Sequence, residues 1–169
     1  ADGYSTYTFV EAKSQNGSEA PNSAIISPLK ELPMFVNTTG IYGLQQLQNV
    51  QSTDRLAVLY SERINPKFLM EQDITKMKTV RHLYWVLFMI PREKTTAIYV
   101  FDDRSNEWFY WELPIVAASI WEQEDVVYLC NIKGGVYAFK TTDIINKRNG
   151  DSEYYDSGYK AIKWYWKSQ

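Results

Sequence analysis

Few side chains in this sequence have the types and spacing that chemistry requires. The chain contains one histidine, His82, and one cysteine, Cys130. A catalytic histidine needs an orienting carboxylate and a nucleophile within reach, but His82 follows Arg81 at the start of an apolar run, so we interpret it as structural. Cys130 ends an apolar stretch, so we expect a buried small residue and not a reactive thiol, which needs an electropositive, accessible setting. The two counts also exclude an intrachain disulfide and any motif with two imidazoles.

Asp102 and Asp103 form the strongest candidate for cation binding, through carboxylate oxygens. A calcium loop would add acidic residues at alternate positions and a glycine, and the sequence has neither. We therefore expect Asp102 to be a turn residue that accepts hydrogen bonds from the backbone amides of Ser105 or Asn106.

The remaining polar motifs are typical of turns. The acidic cluster at residues 122–125 lies between two predicted strands, which indicates a solvated turn. Gly134-Gly135 is not followed by the Lys-Ser/Thr pair and helix of a phosphate-binding loop, so it predicts a hairpin. The sequence thus predicts no metal, no cofactor and no catalytic activity.

Aromatic residues offer the better binding hypothesis, because Trp and Tyr dominate protein interfaces and stack on sugar rings. They make up 15% of the chain, with 13 Tyr, 7 Phe and 6 Trp. We expect Trp108 and Trp121 to fill gaps between sheets. Trp164, Tyr165 and Trp166 lie on a strand-like alternation near the end of the sequence, and we predict that they form a possible interface with further chain or another subunit.

Composition indicates a packed globular chain and narrows its partners. The sequence has 169 residues, of which 45% are hydrophobic and 22% charged, with a net charge of −2. This charge balance disfavours nucleic-acid binding through a basic surface. The longest apolar run, Leu83–Ile90, is far shorter than the roughly 20 residues of a membrane-spanning helix.

The elements that must position these residues are mostly strands. Asn65-Pro66 is a helix-start signal, and Met70, Ile74 and Met77 follow at helical spacing, which predicts a short helix over Lys67–Lys78. The apolar run His82–Ile90 predicts one strand buried on both faces. The other predicted strands are Tyr4–Glu11, a short one at Ala24–Ile26, the hairpin Phe35–Leu44, Arg55–Tyr60, Thr95–Asp102, Glu107–Leu113, Ile115–Trp121, Val126–Cys130, Val136–Lys140, Tyr154–Asp156 and Ala161–Trp166.

An internal repeat favours one all-β architecture. The pattern of an aliphatic residue, Tyr, a small or β-branched residue and a bulky apolar residue occurs at Ile41–Leu44, Ile98–Phe101 and Val136–Phe139. A motif that recurs at intervals of this length along the chain is typical of propeller blades. We therefore predict a propeller-like stack of antiparallel sheets with one short helical insertion; a β-sandwich or barrel is the alternative. An N-terminal strand and extended loop would occupy residues 1–33, and the propeller-like domain residues 34–169.

The segment Ile98–Leu113 resembles a recurrent blade of propeller proteins, in which a strand ends in Asp, a polar turn follows and a Trp opens the next strand. Together with Ser61–Pro66 and Tyr155–Ile162, it is similar to head–tail stabilisation and tail-nozzle proteins of tailed bacteriophages. The resemblance implies a virion subunit assembled in a ring around the tail channel.

The predicted function is therefore that of a structural virion protein in a phage tail or head–tail assembly. Its expected partners are other virion proteins and copies of itself, with no sequence-specific nucleic acid and no membrane span. The first alternative is an extracellular module that binds glycan or protein, and a weaker one is a glycoside-acting propeller enzyme. We also expect the chain to be part of a larger protein.

Overall fold

The computed structural model describes residues 17–46 and 55–140. Within these two ranges the chain forms eleven β-strands, one turn of α-helix and one 3-10 turn, and the strands form three antiparallel sheets. The predicted all-β fold is confirmed. The predicted strands Tyr4–Glu11, Tyr154–Asp156 and Ala161–Trp166, and with the last of these Trp164, Tyr165 and Trp166, lie outside the described residues.

The first sheet contains β1 (Ile25–Ile26), β2 (Pro33–Asn37), β3 (Gly40–Gln46) and β4 (Arg55–Leu59) in that order. The predicted hairpin joins β2 to β3, and Asn37 Oδ1 fixes its turn by accepting from Thr39 N at 2.9 Å. Gly40 is needed where the turn ends. A Cβ there would lie 2.5 Å from Leu59 Cδ1 and 2.7 Å from Ser61 Oγ, much closer than van der Waals contact.

The middle sheet contains β5 (Lys78–His82), β6 (Trp85–Pro91), β7 (Thr96–Asp102) and β8 (Glu107–Leu113) in sequence order. The prediction of one strand over His82–Ile90 is wrong in its first residues. His82 ends β5, and the chain turns at Leu83 and Tyr84, where Leu83 has a φ of 53°. The apolar run hides this turn because Leu83 is itself apolar although it is exposed.

The third sheet contains β9 (Ala117–Gln123), β10 (Val126–Asn131) and β11 (Val136–Lys140). Glu124 and Asp125 both have positive φ, as a two-residue hairpin between β9 and β10 requires. The predicted acidic turn is therefore confirmed, and Glu122 Oε1 supports it by accepting from Asp125 N at 2.9 Å.

The predicted helix over Lys67–Lys78 is wrong in extent. The segment contains one turn of α-helix, Asn65–Phe68, and a separate 3-10 turn, Ile74–Lys76. Asp73 caps the second turn by accepting from Thr75 N, and a capping side chain of this kind starts a new element instead of continuing the old one. Phe68, Ile74 and Met77 enter the core, whereas Met70 stays exposed.

The three sheets stack face to face, and the middle sheet is buried on both sides. Val86, Phe88 and Ile90 of β6 pack towards the first sheet, while Leu87 and Met89 pack towards the third. β7 alternates in the same way from Ala97 to Phe101, so the middle of both strands is apolar on both faces. A strand covered on both faces can carry a continuous apolar run, as predicted from the sequence.

The internal repeat corresponds to a structural repeat. Its three copies lie on β3, β7 and β11, each the third strand of its sheet. Tyr99 packs towards the first sheet and Tyr137 towards the middle sheet, so each faces the sheet that precedes its own. Tyr42 has the same phase, but it lies on the outer face of the first sheet, where it stacks on Phe35 at 5.7 Å between ring centroids.

The first strands of the sheets lie close to one another. β5 contacts both β1 and β9, so the three sheets fan out from their first strands, as propeller blades do around a central channel. No helix of the described residues is long and apolar enough to cross a membrane.

Candidate functional site

A groove of about 860 Å³ opens at one end of the stack of sheets. It lies where the first strands of the three sheets begin; these strands, β1, β5 and β9, are called the inner strands below. Its lining includes Asn22 ahead of β1, Lys78 at the start of β5, and Ala117 and Ala118 at the start of β9. A second cavity of about 530 Å³ lies between β1, β5 and β9 and shares Asn22 and Lys78 with the groove. The groove is therefore continuous with the space between the inner strands.

Two apolar side chains border the groove and are open to solvent. Met70, in the segment between β4 and β5, is 80% exposed, and Ile132, in the turn between β10 and β11, is 62% exposed. Exposed large apolar side chains beside polar ones, at a concave surface, are typical of protein-binding sites.

Glu71 is the anchor of the groove wall. Its carboxylate is almost fully buried, and it accepts from Arg92 Nε at 3.0 Å, from Arg92 Nη2, and from Tyr99 Oη at 2.6 Å. The bond to Glu71 raises the pKa of Arg92, and burial, followed by the same carboxylate, raises that of Tyr99. The three bonds to Glu71 tie the segment between β4 and β5 to the middle sheet.

Arg92 continues this network towards solvent. Its Nη1 donates to Glu112 Oε1 at 3.2 Å, and Glu112 Oε2 accepts from Tyr110 Oη at 3.1 Å. Burial raises the pKa of Tyr110 to about 12. Lys67 Nζ lies 3.0 Å from the centroid of the Tyr110 ring, an arrangement typical of a cation–π contact.

Lys78 joins the inner strands of two sheets. Its Nζ donates to the carbonyl oxygen of Ala118 at 2.6 Å, which connects β5 to β9. On the other side of β5, Thr79 Oγ1 donates to the carbonyl oxygen of Asn22 at 3.1 Å. Both contacts hold the inner strands where the groove meets the second cavity.

Asp102 and Asp103 lie at the opposite end of the middle sheet and serve the fold. The Asp102 carboxylate accepts from Arg104 N at 2.9 Å, from the Arg104 guanidinium and from Trp85 Nε1. Its backbone carbonyl accepts from Asn106 N at 2.9 Å, so the turn role with an amide donor at Asn106 is confirmed. Asp103 is buried, and its Oδ2 accepts from Leu29 N at 2.8 Å and Lys30 N at 2.9 Å. This carboxylate clamps the first sheet's loop onto the middle sheet.

Acid should weaken the Asp102 contact. The Arg104 side chain holds the pKa of Asp102 at about 2, below its usual 3.8. A carboxyl with a lowered folded pKa adds stability above its unfolded pKa and loses it as the pH falls through the folded value. Because Arg104 is half exposed and water screens the pair, we expect a loss on the order of 1 kcal/mol between about pH 5 and about pH 2.

Urea denaturation of the chain and of Asp102→Asn over this pH range measures the effect. The variant should show a shallower fall in unfolding free energy at low pH. Equal falls in both proteins would show that the pair adds no pH-dependent stability.

His82 and Cys130 have structural surroundings. His82 is buried between the middle and third sheets, with its ring edge-to-face at 6.2 Å from Phe139. Burial lowers its pKa. Cys130 is half-buried on β10, so the expectation of a fully buried thiol is wrong. Among the residues that the structure describes, no group of three or more His, Cys, Asp or Glu side chains could hold a metal ion.

The two tryptophans predicted to fill gaps differ. Trp108 packs on Phe101 and Phe88 between the first and middle sheets and donates from Nε1 to the carbonyl oxygen of Tyr60 at 3.0 Å, as predicted. The prediction for Trp121 is wrong. It is 38% exposed on the outer face of the third sheet, stacked on Tyr128 of the neighbouring strand. A β-bulge at Ala118 keeps Ala117 and Ile120 inward, which turns Trp121 outward.

Sequence reasoning missed the groove residues because they come from separate connections. No motif contains Glu71, Lys78 or Arg92, and the helical spacing of Met70 predicts a place on an apolar helix face. One signal was available. Arg92 lies between two strands, and its only acidic neighbour in sequence is Glu93, so its charge indicates an acidic partner that is distant in sequence.

Comparisons with known proteins add no relative. A scan against protein-family models gives no match to the chain. Searches of curated proteins and of solved structures also give no match.

Proposed function

We propose that the chain is a non-catalytic assembly protein that acts through protein–protein contacts, as a structural subunit of a phage tail or head–tail assembly. The observation that carries this proposal is the groove of about 860 Å³ bordered by exposed Met70 and Ile132. Apolar side chains held at a concave surface supply contact area, and methionine adapts to the shape of a partner.

The groove wall supports a binding role because it is ordered in advance. Glu71 is bonded to Arg92 and Tyr99, and Lys76 Nζ lies 2.9 Å from Asp73 Oδ2. Groups that already have internal partners lose little conformational freedom when a partner binds. The same bonds engage the titratable groups of the wall in structural contacts, which favours contact over catalysis.

The combined resemblance of Ile98–Leu113, Ser61–Pro66 and Tyr155–Ile162 to structural proteins of tailed bacteriophages supports the virion context, and the propeller-like stack agrees with it. In this context the subunit lies in the tail, and copies of it form a ring around the channel. Partner virion proteins would then contact the end of the stack where the groove opens.

The proposal predicts that phage particles from cells that make this protein contain it at the tail. Immunogold labelling of purified particles measures this. Met70→Ser with Ile132→Ser should reduce incorporation, because both exposed contacts are lost. Leu29→Ser is the control, since Leu29 is also a large exposed apolar residue, 56% exposed, and lies beside Asp103 at the other end of the middle sheet. Particles without label, or equal incorporation of both variants, would contradict the proposal.

A second candidate, glycan binding, is favoured by one observation. Trp121 and Tyr128 stack at 5.4 Å with an interplanar angle of 16° on the outer face of the third sheet. An exposed aromatic pair of this kind can stack on a sugar ring. A glycan-array signal lost in Trp121→Ala, but kept in Phe109→Ala on the middle sheet, would favour this function over the first.

A further inference from the structure

We propose that the groove recognises an acidic segment of its protein partner, with Lys78 as the residue that binds the carboxylate. The inference rests on the proposed function and adds the chemistry of the partner. Lys78 lines both the groove and the cavity between the inner strands, so it lies where the two meet.

The charges that line the groove cancel in pairs except at two positions. Arg92 is bound to Glu71 and Glu112, and Lys76 to Asp73. In the part of the chain that the structure describes, no carboxylate lies within 4.0 Å of Lys78 Nζ. Its one hydrogen-bond partner there is the neutral carbonyl of Ala118.

An ammonium group has three donors, so the bond to Ala118 leaves Lys78 able to donate to a ligand. The side chain is partly exposed, so its ammonium group is accessible to a ligand. A carboxylate of the partner would therefore complete both its charge and its hydrogen bonding. Met70 and Ile132 would contact apolar groups on either side of that carboxylate.

Glu93 sets the direction of binding. It is exposed on the hairpin between β6 and β7 and lines the same groove, and it forms no salt bridge among the described residues. The groove is thus polarised between Glu93 and Lys78. An acidic side chain is repelled by the first and attracted by the second, so it should bind at the Lys78 end.

Selection from a random peptide library displayed on filamentous phage tests the inference. The unmodified protein should select peptides that carry Asp or Glu between apolar residues, and Lys78→Glu should select Lys or Arg at that position. Lys78→Met should weaken the acidic peptides roughly tenfold, the value of one hydrogen bond to a charged group. Arg81→Glu, which changes the same charge farther along β5, should leave the selection unchanged.

Two further measurements locate the peptide and check the fold. The methyl NMR signal of Met70 should shift on binding, and thermal melting should show that each variant is folded. Peptides that shift Met70 but have the same charge preference with all variants would overturn the role of Lys78 and leave the proposed function intact. The inference would also be overturned if no selected peptide shifted Met70, while the labelling of phage particles would still decide the proposed function separately.

Discussion

Replacing Tyr99 with alanine should lower the free energy of unfolding by about 4 kcal/mol, the middle of the range for buried aromatic truncations. The side chain is fully buried between the first and middle sheets, 5.5 Å from Phe68 and 5.2 Å from Tyr110 between ring centroids. Its removal leaves a cavity and takes a donor from the buried carboxylate of Glu71. Urea denaturation followed by tryptophan fluorescence measures the loss.

Two variants separate these contributions. Tyr99→Phe keeps the ring and should cost about 2 kcal/mol, the value of one hydrogen bond to a charged group. Tyr42→Ala changes the equivalent residue of the repeat on the outer face of the first sheet, where the side chain is half-buried, so it should cost clearly less than Tyr99→Ala. Equal losses at Tyr42 and Tyr99 would contradict the claim that Tyr99 belongs to a core between sheets.

Asp103→Ala should cost about 3 kcal/mol, because removing one partner of a buried charged contact leaves the others unsatisfied. Its carboxylate accepts from the backbone amides of Leu29 and Lys30 and lies 3.6 Å from Lys30 Nζ. Loss of the clamp should free this loop from the middle sheet. Limited digestion with trypsin should then cut after Lys30 faster than in the unmodified protein.

Asn106→Ala is the control for the charged end of Lys30. Asn106 Oδ1 accepts from Lys30 Nζ but makes no contact with the loop backbone. This variant should cost roughly 1 kcal/mol, because the contact is exposed but Asn106 has a φ of 58°, which alanine adopts less readily than asparagine. The cost should still be clearly below that of Asp103→Ala. If trypsin cut both variants at the same rate, the backbone clamp would have no role in holding the loop.

Periodic and turn signals in the sequence were enough for most of the fold. Asn37–Gly40 predicted its hairpin because Asn and Gly tolerate tight turns, and the run ending at Ile90 predicted a strand covered on both faces. The repeat of aliphatic residue and Tyr identified the third strand of each sheet. These features depend on residues near one another in sequence, so local pattern reveals them.

The segment between β4 and β5 could not be predicted in the same way. The spacing of Met70, Ile74 and Met77 is helical, but contacts with distant residues determine the conformation of this segment. Phe68 enters the core and Glu71 binds Arg92, and Asp73 then caps a separate 3-10 turn, so no continuous helix forms. The groove depends on such contacts between distant residues, so the sequence carries no local signal for it.

The two-sided burial of β6 and β7 has a consequence for how their pairing is selected during folding. In a sheet with one solvent-exposed face, a strand shifted by one residue would expose its apolar side chains to water. The shifted pairing would therefore be much less stable than the native one. Here both faces are apolar, so hydrophobicity scarcely distinguishes correct from shifted pairing. The few buried polar groups must supply the discrimination. Only the native register brings the Tyr99 hydroxyl to Glu71 and lets Thr96 bond both Ile115 O and Ala117 N. These polar contacts therefore specify the native strand register, which the apolar residues around them cannot do.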